Sequence, residues 1–166
     1  MYQTILVPLD GSKRAEALLP QVESLARQHN AKVIFLEVVE PQPRYVPPKP
    51  GQIEFDSLDE RPRLKKVRRY LEVKQGFFQT KGLKAEIRAE EGPIVATIIN
   101  VADREQADLI VMTSHGRTGW SRLFHGSVAA DVLHQTDRPV LLIQSGDNET
   151  TPMSLVVQSE QGELAS

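Results

Sequence analysis

The residues with the clearest chemical potential run Val111-Met112-Thr113-Ser114-His115-Gly116-Arg117-Thr118-Gly119-Trp120-Ser121-Arg122-Leu123-Phe124-His125-Gly126-Ser127-Val128. The stretch leaves an apolar, strand-like run and ends where a helical pattern begins. Gly116 and Gly126 lack Cβ, so a ligand can approach their backbone closely. Gly126-Ser127 stands at the helix start, where free N–H groups and the helix dipole favour a phosphate. Ser127 adds a hydroxyl. Arg117 and Arg122 offer charge-assisted bonds to phosphate oxygens. The same residues also read as simple punctuation, with Gly116 and Gly119 forming turns and Ser127 capping a helix. Neither G-x-x-x-x-G-K-[ST] nor a G-x-G-x-x-G after the first strand is present.

Other chemistry is thinly supported. The chain has no cysteine, which excludes a disulfide framework, cysteine catalysis and a thiolate metal site. No His/Asp/Glu group has metal-ligand spacing. His115 and His125 flank the glycine-bearing loop without a second catalytic group at convincing spacing, so no residue is assigned as catalytic and none as a metal ligand. The net charge is −2, and no basic field for nucleic acid is visible. No apolar stretch approaches the roughly 20 residues that span a bilayer. The N-terminus opens straight into Ile5-Leu6-Val7-Pro8, so no signal peptide is expected and the cytoplasm is the expected compartment.

The elements that must position the loop alternate in type. Ile5-Leu6-Val7, Val33-Ile34-Phe35-Leu36 with Val38-Val39, Leu109-Ile110-Val111-Met112 and Val140-Leu141-Leu142-Ile143 read as buried strands. Ala85-Glu86-Ile87-Arg88-Ala89 alternates and reads as an edge strand. Helical periodicity marks Ala15 to Ala26, Leu64 to Phe78, Val95 to Ala102 and Val128 to Leu133. Pro20 lies within the first of these, which predicts a bend or a late helix start. Strands separated by helices predict an α/β domain with an open parallel five-stranded sheet and helices on both faces. The domain is expected over residues 1–145, interrupted by a proline-rich loop at about 41–62 that holds six of the eleven prolines. Residues 146–166 are expected to form a polar tail, largely disordered. Met153 and Leu155-Val156-Val157 are among its apolar residues, and the tail has room for one short extra strand.

Gly116, nine residues, then Gly126-Ser127 resembles the nucleotide loop of the universal stress protein family, whose ATP-binding members carry G-x-x-G, nine residues and G-[ST]. Ile5-Leu6-Val7-Pro8-Leu9-Asp10-Gly11-Ser12 resembles the family's first strand and acidic turn, and Arg138-Pro139-Val140-Leu141-Leu142-Ile143 its ending. The resemblance implies strand order 3-2-1-4-5, the adenine nucleotide alpha hydrolase-like fold. It places Asp10, with Pro8 and Leu9, near ribose and adenine, and Val38 on the adenine pocket. Met112 and Thr113 fall along base and sugar. Gly116, Arg117, Gly126, Ser127 and Val128 fall at the phosphates. The implied ligand is ATP or another adenine nucleotide (AMP, ADP or cyclic AMP), with any Mg²⁺ carried on its phosphates. The implied partner is a second copy, paired through the last strand at Val140–Ile143, in a stress-response regulator. Thr113 departs from the family's first motif glycine. A branched Cβ there either crowds the sugar or brings a hydroxyl to it. Two other readings follow: a dimeric interaction module that binds no nucleotide, and a slow ATPase.

Overall fold

The computed structural model describes residues 1–41, 62–114, 127–144 and 154–157. Its elements are β1 (Thr4–Pro8), α1 (Lys13–Glu16), α2 (Leu19–His29), β2 (Lys32–Val39), α3 (Pro62–Thr80), β3 (Ala85–Glu91), α4 (Ile94–Arg104), β4 (Leu109–Ser114), α5 (Val128–Gln135), β5 (Val140–Gln144) and β6 (Ser154–Val157). Among the described residues they form one sheet in the order β3-β2-β1-β4-β5-β6. The first five strands pair in parallel, and β6 joins the outer edge of β5 in antiparallel. The five-stranded α/β arrangement and its 3-2-1-4-5 order therefore hold, with one strand added.

Strand alternation sorts the apolar side chains into two cores. Ile5, Val7, Val33, Phe35, Leu109, Val111, Leu141 and Ile143 face Val22, Ala26, Val67, Leu71 and Phe78 of α2 and α3. Leu6, Ile34, Leu36, Ile110, Met112, Val140 and Leu142 face Ile98, Val101, Ala102, Ala129 and Val132 of α4 and α5. Because β1 and β4 are covered on both sides, their sequences run without polar interruption. Phe35 and Phe78 meet edge to face at 4.9 Å between centroids, a geometry that adds about 1 kcal/mol to their area burial.

Local sequence explains the boundaries. The first helical pattern is broken: α1 ends at Glu16, and α2 restarts at Leu19 with Pro20 in its first turn. There the missing N–H costs nothing, since first-turn donors have no intrahelical partner. Asn30 closes α2 in the left-handed conformation (φ 52°). β3 lies at one edge of the sheet, as its alternating pattern predicts. The proline-rich stretch from Gln42 to Arg61 lies outside the described residues.

Candidate functional site

The chain leaves β1 toward β2 and β3 on one side and returns toward β4 and β5 on the other. The switch point is thus the gap between the carboxyl ends of β1 and β4, where open α/β sheets take their ligands. A cavity of about 470 Å³ opens there, within the usual range for small-molecule sites. Pro8, Leu9 and Asp10 line it from the end of β1, Leu36 and Val38 from β2, Met112 and Thr113 from β4, and Ile94 and Ile98 from α4. Ser127, Val128 and Ala129 close it from the start of α5.

Asp10 and Ser127 are each held by a local turn or cap. Asp10 is exposed, and its Oδ1 accepts the N–H of Ser12 at 2.9 Å. Between them Gly11 has φ +75°, a conformation that glycine adopts without the penalty other residues meet. Ser12 then caps α1 by accepting the Ala15 N–H at 3.1 Å. This turn keeps Asp10 at the mouth of the cavity. Ser127 repeats the device on α5, accepting the Ala130 N–H at 3.1 Å. The Asp131 N–H bonds the Ser127 carbonyl. The N–H groups of Val128 and Ala129 are left without intrahelical acceptors, at the positive end of the helix. The cap uses the Ser127 oxygen as acceptor and does not engage its hydroxyl hydrogen.

Among the described residues that line the cavity, Asp10, Thr113 and Ser127 carry polar side chains and the rest are apolar. Such a site can take a flat, weakly polar ring inside, hydroxyls near Asp10, and an anion at the start of α5. Of the residues expected from the sequence, Pro8, Leu9, Asp10, Val38, Met112, Thr113, Ser127 and Val128 come together around this cavity. Gly116, Arg117 and Gly126 lie outside the described residues. Ala15, Leu36, Ile94, Ile98 and Ala129 also line the cavity and were not expected. The signals that could have found them are the period-two step from Leu36 to Val38 and the i, i+4 step from Ile94 to Ile98.

A further polar side chain lies beside the site, on the other face of the sheet. Glu37, between the cavity-lining Leu36 and Val38, points away from the cavity, and its Oε2 is buried without a hydrogen-bond partner among the described residues. Burial, reinforced by the charge of Asp10 and opposed by Lys66, raises its pKa above the usual carboxylate range. Among the described residues no group of His, Cys, Asp and Glu is arranged to hold a metal ion. No described helix is long and apolar enough to cross a membrane.

Residues 1–144 match the model of the universal stress protein family. The chain is 35% identical over 144 residues to Universal stress protein Sll1654 of Synechocystis, covering 86% of each. Its fold resembles that of a universal stress protein in complex with cAMP (TM-score 0.65, 23% identity, 87% of this chain and 98% of that one). It also resembles a universal stress protein from Archaeoglobus fulgidus in complex with dAMP (TM-score 0.61, 21% identity, 85% and 97%).

Proposed function

The chain belongs to the universal stress protein family, and on that premise we propose that the cavity at the β1–β4 switch point binds an adenine nucleotide. The ligand is ATP or its relatives AMP, ADP and cyclic AMP, and the protein is a cytoplasmic stress-response regulator that reads nucleotide occupancy. One observation carries this reading: a cavity of about 470 Å³ at the switch point whose described lining is apolar apart from Asp10, Thr113 and Ser127. Adenine fits the apolar part, between Leu36, Val38, Ile94, Ile98 and Met112. The ribose lies toward Asp10 and Thr113. The phosphates lie toward Ser127 and the open N–H groups of Val128 and Ala129, with Gly116, Arg117 and Gly126 of the loop motif completing the cradle. Any Mg²⁺ arrives on the phosphates, which supply most of its ligands. The cAMP and dAMP complexes of proteins with this fold support the choice of base.

Thr113 favours a second reading, in which the chain is a dimeric interaction module without nucleotide. Calorimetry with ATP, AMP and cyclic AMP separates the two. The first reading predicts binding of at least one of them with Kd well below 1 mM, the level of about −4 kcal/mol. No binding at that level leaves the second. A slow ATPase reading needs a base for water. It is retained only if phosphate is released above background and the release is lost in Asp10→Ala. In either of the first two readings the partner is a second copy of the chain, paired through β5, whose outer edge β6 covers in this structure.

A further inference from the structure

The edge of β5 that a second copy would use is occupied within the chain. Val140, Leu141, Leu142 and Ile143 stand opposite Val157, Val156, Leu155 and Ser154 in an antiparallel ladder. An unpaired strand edge is a template for another chain, and covering it is one way proteins prevent association. The match to the family model ends at residue 144, the last residue of β5. The covering strand therefore lies outside the matched region. Leu155-Val156-Val157 is a compact apolar run of the kind found in β5 itself, set in a mostly polar stretch that has Pro152 and Met153 just before it.

Direction adds to the case. A second copy approaching about a two-fold axis presents its own β5 antiparallel to the first. β6 runs in that same direction against β5. One strand cannot hold both partners on the same edge. The competition is unequal, because β6 is tethered to β5 through residues 145–153. A short tether gives an effective concentration on the order of millimolar, far above the micromolar concentrations at which a second copy would be met.

We propose that β6 is an intramolecular cap on the β5 edge, and that this chain self-associates through β5 only when β6 is released. This rests on the pairing of copies through β5 given above and is independent of nucleotide binding. Both copies must give up their caps, so the effect enters twice. If β6 favours the docked state about tenfold, the competent fraction of each copy is roughly a tenth. The apparent dimer Kd then rises about 100-fold.

Two full-length variants bracket the equilibrium. Adjacent strand residues direct their N–H groups to opposite edges, so the double substitution Leu155→Pro, Val156→Pro removes at least one ladder donor and releases the cap. Leu141→Cys with Val156→Cys places two thiols at directly opposed positions. Opposed Cα atoms in an antiparallel pair are about 4.5–5.5 Å apart, within the reach of a disulfide. The chain has no other cysteine to compete.

Sedimentation equilibrium over a wide concentration range should give the proline variant a dimer Kd some 10- to 100-fold below that of the unmodified chain. The oxidised double-cysteine chain should remain monomeric and regain association on reduction. Equal dimerisation of all three forms would overturn the cap while leaving a dimer through some other surface. Absence of association in every form would overturn pairing through β5 as well. A cross-link between chains on a non-reducing gel, in place of one within a chain, would mean that β6 is exchanged between copies and would also overturn the proposal.

Discussion

Ser127 has one observed and one proposed role, which a single substitution can separate. Its side chain caps α5 through the Ala130 N–H, and the residue lines the cavity, at the end to which the proposed function assigns the phosphates. Ser127→Ala removes both. Loss of the cap costs about 1 kcal/mol, which in a domain of this size lowers Tm by about 2–4 °C. Loss of a hydrogen bond to a charged group costs about 1.5–3 kcal/mol, or roughly 10- to 150-fold in Kd at 1.4 kcal/mol per decade. Ser127→Gly is the informative partner. Glycine is nearly as good an N-cap as serine, within a few tenths of a kcal/mol, yet it has no hydroxyl. Thermal unfolding and calorimetry with ATP, run side by side, should therefore find Ser127→Gly close to the unmodified chain in Tm but weakened in binding as much as Ser127→Ala. Ser127→Thr should keep both properties. If Ser127→Gly binds ATP as tightly as the unmodified chain, the Ser127 hydroxyl does not hold the phosphates and that contact is wrong.

Three further outcomes follow from the packing and the turns. Glu37 has a raised pKa in the fold, so its contribution is fully present below the unfolded value of about 4.3 and is lost as pH rises through the folded value. Glu37→Gln should accordingly raise Tm at pH 7, with the gain vanishing below about pH 4; a Tm difference that does not change with pH would contradict this. Gly11→Ala meets no close atom, the nearest to its new Cβ being Glu37 Oε1 at 4.0 Å, but keeps φ +75°. It should cost about 1–2 kcal/mol through the backbone alone, measured by urea unfolding at unchanged m-value. Phe78→Ala removes a fully buried ring that packs on Phe35 and should cost about 3–5 kcal/mol; a loss under 1 kcal/mol in the same assay would mean the α3 side of the core closes over the gap.

Much of the scaffold was legible because burial on two faces leaves a strong mark. β1, β4 and β5 appear as unbroken apolar runs, and β3 as an alternating one. The proline at position 20 correctly moved a helix start. The charged Glu37 split the second apolar run in the sequence, whereas β2 is continuous from Lys32 to Val39. The strand tolerates a carboxylate there because it lies near the carboxyl end, beside the Asp10 turn, where it is only partly buried. The polar rim was readable from Asp10 and Ser127, since caps and turns announce themselves by residue type. Leu36, Ile94, Ile98 and Ala129 were not, because an apolar residue on a cavity wall has the same periodicity as one in the core. The apolar run of β6 was visible, but its pairing with the neighbouring β5 is not marked by residue type.

Methyl NMR during an ATP titration tests the central claim most directly, because it reads occupancy without altering the protein. The cavity lies on the α4–α5 side of the sheet. The methyl groups of Val38, Ile94, Ile98 and Met112 should shift together along one saturable curve. Those of Val67 and Leu71, buried against α3 on the opposite side, should stay in place. Saturable shifts confined to the α3 side, or none at any of these positions up to millimolar ATP, would contradict nucleotide binding at the β1–β4 switch point.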